Sequence, residues 1–448
     1  MLIHTRGETV NKDLSRIREV VKEHPKGKVE NLACYINYNN LYQAQSKVKA
    51  NKATGVDKVT KEQYSSNSKE NLDSLTKRMK SGAYKPQPSR RVYIPKANGG
   101  KRPLGIPSYE DKLVQVVIAD ILGIVYEKEI FLQNSYGFRP GKSQHQAVTE
   151  ITRLFQTKKV NYVLDIDIKG FFDNVNHEWM IKFLEHRIAD KRFIELISKF
   201  LKAGIMEDGT CHNTDLGQPQ GGIISPILSN IYLHYVLDLW FEKFIKSKSK
   251  GECYLIRYAD DFVCLFQYQN EANALYEVLN ERMNQFGLEI SKEKSKLIEF
   301  GRFSWENRSK RGLPRPDTFN FLGFTFYCAI SRDTKKFIIK VKTEKKRLNK
   351  KIKEFGHWIK TRRHQDFDDL VPRIKAKLTG HYNYYGVTYN FESIKYYNDN
   401  IKKKIFKWLN RRSQRKSFNW EQFQKKWDYE WLMPRPENKV SIISYIYS

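Results

Sequence analysis

Cysteine is scarce in this chain, histidine is scattered, and no long apolar run interrupts it. The five cysteines, Cys34, Cys211, Cys253, Cys264 and Cys328, are an odd set without a CxxC pair. That pattern argues against a disulfide framework and fits a reducing compartment. The ten histidines form no Cys/His cluster, so a zinc finger or a His-rich nuclease module at either end finds no ligands. The longest apolar stretch, Val116 to Tyr126, is short and broken by Asp120, which predicts a core helix and not a membrane span. MLIHTRGETVNKD at the start has no charged-then-apolar signal design. The expectation is a soluble cytoplasmic protein with no membrane partner.

Negative charge is the other shortage. Against 50 Asp and Glu stand 80 Lys and Arg, a formal net charge of +30. Self-repulsion on that scale implies a polyanionic partner. With 26 Tyr, 26 Phe and 8 Trp beside the bases, nucleic acid fits better than an anionic membrane, because rings stack on bases. At 448 residues and 40% hydrophobic content the chain can form two or three domains with a sizeable core.

Residues 10 to 80 read as helical, interrupted by ANKATGVDKVT. RRVYIPKANGGKRPLGIP reads as two short strands around a loop, made cationic by Arg90, Arg91, Lys96, Lys101 and Arg102. From 161 to 300 strands alternate with helices, an α+β pattern with one sheet and helices on a single face. Beyond residue 340 basic amphipathic helices take over. Their interleaving with Trp358, Tyr382, Tyr384, Tyr385 and Trp408 suggests a nucleic-acid surface.

Two adjacent carboxylates, Asp260 and Asp261, sit at the turn of CYLIRYADDFVCLF between apolar strands. Such a pair in a sheet needs a cation, because burying one uncompensated charge costs several kcal/mol. A second acidic strand, YVLDIDIKGFFDNVNH, carries Asp165 and Asp167 on one face with Leu164, Ile166 and Ile168 on the other. Three carboxylates from two strands match the oxygen ligands that magnesium prefers, and would serve two ions roughly 3.5–4 Å apart.

LDIDIKGFFDNVNH, PQGGIISPILSNIYLHYVLD, RYADDFVCLF and GLEISKEKS follow one another in the order and spacing of a reverse transcriptase palm. FNFLGFTF resembles its grip, YIPKANGGKRPLGIPSYEDKLVQ and YGFRPGKSQHQAV its fingers, and LTGHYNYYGV with WLNRRSQRKSFNW its thumb and maturase region. With PQGG and YADD, the whole resembles the reverse transcriptase/maturases encoded by bacterial group II introns, of the compact endonuclease-free type.

That resemblance implies a right-hand polymerase: a helical N-terminal extension and the start of the fingers over 1–80, fingers over 81–160, palm over 161–335, and an α-helical thumb and maturase domain over 336–448. It implies that Asp167, Asp260 and Asp261 hold two Mg2+ ions, with Asp165 a neighbour. Phe172 falls where the family keeps an aromatic gate against the ribose 2′-OH. Gln220 and Gly221 fall where the incoming dNTP and template base pack, Lys96 and Arg102 where fingers grip the triphosphate. Lys294, or else Lys292, falls near the leaving pyrophosphate.

The implied partners are group II intron RNA, an RNA template with a DNA primer, and target DNA. The implied oligomeric state is monomer or homodimer, and the implied location is the bacterial cytoplasm, nucleoid-associated in use. Gln218 departs from the more usual Thr, and nothing after the thumb resembles a DNA-binding or endonuclease region, so target cleavage is not expected. Rival readings are a splicing factor with a vestigial polymerase and a domesticated enzyme of phage defence or DNA repair.

Overall fold

A computed structural model describes residues 2–3, 13–95, 100–207, 210–212, 216–217, 221–413 and 417–443. The helical reading of the N-terminal region holds, with helices at Ser15–Glu23, Tyr38–Lys47, Lys61–Ser66 and Ser68–Ser81. Thr60 and Gln63 cap the third reciprocally, Thr60 Oγ1 accepting from the Gln63 N–H and Gln63 Oε1 from the Thr60 N–H. The cationic hairpin follows as expected: Ser89–Pro95 pairs antiparallel with Lys101–Ile106, from Arg90 opposite Ile106 to Pro95 opposite Lys101. Ile205–Glu207 and Thr210–His212 extend it to a four-stranded sheet.

The apolar run becomes the centre of helix Tyr109–Tyr126, started by Ser108, whose hydroxyl accepts from the Asp111 N–H. Ile118, Ile121, Leu122, Val125 and Tyr126 have no exposed surface. Each such side chain contributes roughly 1.5–3 kcal/mol by leaving water, so tertiary burial fixes this helix.

The central sheet has the order Lys296–Glu299, Tyr162–Ile166, Asp261–Phe266, Cys253–Tyr258, antiparallel throughout. Its two faces belong to different cores. Leu164, Ile166, Leu255, Phe262 and Cys264 point to helices His177–Glu185, Ser225–Leu233 and Gln269–Gln285. Val163, Ile256, Val263 and Leu265 point to helix Gln144–Thr157 and to a second sheet. The expected single helical layer is therefore present, and one helix also closes part of the opposite face. That opposite face is the one from which Asp165 and Asp261 project, since Asp165 lies opposite Val263 and alternates with Leu164 and Ile166.

The second sheet, Phe319–Phe321, Phe324–Ile330 and Phe337–Thr343, leads into helices Lys345–Arg362, Phe367–Tyr385 and Phe391–Leu409. Here the structure corrects the aromatic reading. Tyr382 and Tyr385 are core residues, Tyr382 donating its hydroxyl to Asn398 at 2.9 Å. Tyr384 is half-buried, stacks on Phe324 and donates to the Leu322 carbonyl at 3.0 Å. Period-3.6 placement put two of them on the inner face, and burial won over solvent stacking. Trp408 stays half-buried among Lys360, Arg363, Lys407 and Arg411.

His381 is buried in helix Phe367–Tyr385, stacked on Tyr397, with neither ring nitrogen hydrogen-bonded among the described residues. Burial, with Lys351 nearby, pushes its pKa down to about 3. It folds neutral, so between about 3 and its ordinary value the unfolded chain holds the extra proton. Stability from this site is full above that ordinary value and is lost as pH falls through the window. His381→Phe should flatten the acid loss, measured as the difference in urea midpoint between pH 7 and pH 4.5. A variant that keeps the wild-type difference would place the acid sensitivity elsewhere.

Candidate active site

The acidic turn is a tight hairpin: Tyr258 pairs with Asp261 across Ala259 and Asp260. Ala259 sits at φ 57°, in the left-handed region, which costs a non-glycine residue roughly 1–2 kcal/mol. The surroundings hold it there. Arg257, with no exposed surface, donates from Nη1 to the Ala259 carbonyl at 3.0 Å and to Asn230 Oδ1 at 3.0 Å. Its charge is met by Asp238, also without exposed surface, which accepts from Nε at 2.7 Å and from Nη2. Asn230 donates in turn to the Gly137 carbonyl at 2.8 Å.

Gly137 lies flat against the turn. A Cβ there would meet the Ala259 nitrogen at 2.3 Å and the Tyr258 carbonyl carbon at 2.9 Å. The segment before it runs beside the sheet's edge strand: Arg257 donates its N–H to Asn134, and Tyr136 donates to Arg257. This segment therefore satisfies backbone groups that an edge strand would leave unpaired.

Asp167 lies one residue beyond the end of its strand. The alternation holds through Ile166, but the ladder stops there. Its backbone is tied to the loop before Lys296–Glu299: Ser291 donates its N–H to the Asp167 carbonyl at 2.8 Å, and Lys169 donates to Glu289 at 2.8 Å. The same loop delivers Lys294, whose Nζ lies 2.8 Å from Asp167 Oδ2. Lys292 makes no such contact among the described residues, so Lys294 is the lysine at the acids.

The four carboxylates share one field. Burial pushes Asp165 up to about 7, helped by Asp261 and Asp167 and opposed by Lys296. Burial likewise raises Asp261 to about 6, with Asp260 and Asp167 adding and Arg347 and Arg102 opposing. Asp260 is raised by burial and held down by its own backbone N–H and by Arg102. Asp261 still opens to solvent on one side; the surrounding protein displaces water on its other sides. Asp167 is engaged by Lys294, and among the described residues no three His, Cys, Asp or Glu side chains close on a common point. The donor set itself, all oxygen, partly desolvated and in mutual repulsion, fits a hard divalent cation.

Arg102 is exposed on the cationic hairpin and its charge reaches both Asp260 and Asp261. Phe172 is half-buried, edge-on to Phe171 with ring centroids 5.3 Å apart. Gly221 has φ 109°, and a Cβ on it would meet the Gly105 carbonyl oxygen at 2.8 Å. Its small size thus serves the contact with the hairpin strand Lys101–Ile106. Lys96, Gln218 and Gln220 lie outside the described residues.

Sequence reading passed over Arg257, Asp238, Asn230, Gly137 and Arg347. Arg257 carried a signal, because a cation inside an apolar strand has to be paired. Gly137 and Arg347 carried none; each is brought to the turn by contacts distant in sequence.

Residues 94–326 match the profile of the family described as reverse transcriptase (RNA-dependent DNA polymerase). The chain belongs to the reverse transcriptase family. Residues 345–427 match the group II intron maturase-specific domain. The group II intron-encoded protein LtrA of Lactococcus lactis subsp. cremoris is 41% identical over 210 residues, 46% of this chain and 33% of its own length. Protein YkfC of Escherichia coli K12 is 38% identical over 202 residues, 44% of this chain and 52% of its own. The COX1/OXI3 intron 2 protein of Saccharomyces cerevisiae is 28% identical over 364 residues, 69% of this chain and 39% of its own. The chain thus spans between a third and about half the length of these relatives. This reverse transcriptase family member has no helix, among the described residues, long and apolar enough to cross a membrane.

Proposed function

We propose that the chain is an RNA-directed DNA polymerase that copies group II intron RNA and, as a maturase, binds that RNA to assist splicing and retrohoming. The observation that carries the polymerase reading is the register that pairs Ile166 with Phe262, so that Asp167 and Asp261 follow on neighbouring strands beside the left-handed turn Ala259–Asp260, in one shared field. In this reading residues 81–160 are fingers, 161–335 palm and 336–448 thumb. Asp167, Asp260 and Asp261 would hold two Mg2+ ions, which when bound activate the primer 3′-OH and neutralise charge on the phosphates.

The chain's own groups then have separate tasks. Arg102, with Lys96, grips the triphosphate of the dNTP, the guanidinium offering a fork to phosphate oxygens. Lys294, an ammonium next to Asp167, can hold a proton near the leaving pyrophosphate. Gln220 and Gly221 pack the nascent base pair, and Phe172 excludes a ribose 2′-OH by bulk. The maturase role is supported by the domain match and by a groove of about 350 Å3 between Lys345–Arg362 and Phe391–Leu409, lined by Lys353, Lys360, Lys404, Lys407, Tyr396 and Trp408. Cations with rings suit RNA backbone and bases.

Primer extension on an RNA template, with dNTPs against rNTPs, in wild type and Phe172→Ala, is the test. Wild type should extend with dNTPs. The variant should use rNTPs better by on the order of 10²-fold relative to dNTPs, the scale on which an apolar pocket rejects an added hydroxyl. No extension by wild type would sink the polymerase reading; unchanged sugar choice would remove Phe172 from it.

A further inference from the structure

Between the acidic turn and the helical core runs a buried polar strut with no part in the chemistry proposed above. Arg257 spends all three guanidinium nitrogens inside the protein: Nε and Nη2 on Asp238, Nη1 on Asn230 and on the Ala259 carbonyl. Arg257, Asp238 and Asn230 have no exposed surface. A buried pair of this kind is weak evidence for stability, because well-packed apolar residues of the same volume often do as well. Geometry gives a better reason for it. One end is anchored in the segment Ser225–Asp238, through Asn230 and Asp238; the other grips the carbonyl of Ala259, in the left-handed region one residue before Asp260. Asn230 also donates to Gly137, whose bare Cα faces the Ala259 nitrogen. Ala259 is thereby held from its carbonyl side by Arg257 and from its nitrogen side by Gly137.

We propose that Arg257, clamped by Asp238 and Asn230, is a positioning residue that locks Ala259 in its left-handed conformation and so sets where Asp260 and Asp261 point. The role of those two acids rests on the polymerase reading; the lock on the turn does not. A planar fork can meet Asp238, Asn230 and the Ala259 carbonyl at once, whereas a lysine ammonium, with a single nitrogen at the same reach, cannot. The same strut explains why a charged residue sits inside an otherwise apolar strand, one position before its end.

The test uses the full chain and two variants, Arg257→Lys, which keeps the charge, and Asn230→Ala, which keeps the Arg257–Asp238 pair. Amide hydrogen exchange at residues 259–261 is read without metal or nucleotide, beside the melting temperature, the primer–template Kd, and kcat and KM for dNTP. Exchange at the turn should rise at least about tenfold, the scale of one lost hydrogen bond to a charged group. The value of kcat should fall roughly 10²-fold, as for a displacement near 1 Å, with primer–template Kd within about twofold of wild type. Wild-type exchange at the turn in either folded variant would overturn the proposal. So would a loss in primer–template binding as large as the loss in kcat. If Arg257→Lys fails to fold, Asn230→Ala decides alone. A wild type that exchanges slowly at the turn but extends no primer would refute the polymerase reading and leave the lock standing.

Discussion

Asp260→Asn should abolish primer extension while RNA binding stays almost intact. The carboxylate stands at the tip of a two-residue hairpin, in the field of Asp167 and Arg102. Its replacement by an isosteric amide changes no volume and removes one charge from a mutually repelling group, so the fold should be kept and not weakened. As a proposed metal ligand it acts where charge develops in the transition state. Removing one preorganised electrostatic partner of that kind costs roughly 10²–10³-fold in kcat, and a direct ligand should cost at least as much. Binding of the proposed RNA partner would rest on the many Lys and Arg of the chain, and the variant should keep its affinity and its steep salt dependence. Single-nucleotide extension under excess enzyme, with a filter-binding isotherm on the same RNA, separates the two. Extension within tenfold of wild type would remove Asp260 from the site.

Gly137→Ala should produce the second large effect, from a residue that carries no functional group. The added Cβ would lie 2.3 Å from the Ala259 nitrogen and 3.1 Å from its Cα, distances only backbone movement can relieve. Overpacking of this kind costs typically about 1–3 kcal/mol. The atoms that must move belong to the acidic turn, and a shift of about 1 Å at a reacting centre can cost about 10²-fold in rate. The variant should therefore melt lower and extend primers far more slowly, with dNTP KM changed less than kcat. Gly141→Ala is the natural control, since a Cβ there meets nothing within 4 Å; its φ of 71° confines its effect to local strain. Equal rates for the two variants would mean that contact with Ala259 does not govern the turn.

Both expectations turn on how tightly a short hairpin is held, and this is where sequence and structure part. The strands around Asp260 and Asp261 were legible because two short apolar runs around a polar tip read as a hairpin in a sheet covered on both faces. The cationic hairpin, the buried helix Tyr109–Tyr126 and the helical C-terminal region were legible for the same reason: period and punctuation are local properties. Asp167 was legible as a partner only through the order of motifs, since its ladder ends one residue earlier. Tyr382 and Tyr385 were misplaced because a basic, aromatic helix gives no sign of which ring turns inward until its neighbours are known.

By itself the sequence determined the acidic turn of Asp260 and Asp261 between two apolar strands, a second strand carrying Asp165, and a charge of +30. Those follow from apolar runs and alternation along the strands and from the count of charges, which need no knowledge of distant neighbours. Only the tertiary structure decided that Lys294 meets Asp167, that Arg102 and Arg347 share the field of Asp261, and that Arg257 and Gly137 hold Ala259 from two sides. The last contact joins residues more than a hundred positions apart, and its decisive quantity is a gap too small for a methyl group. Packing at that scale is set by the whole core at once, and a local pattern of residues does not encode it.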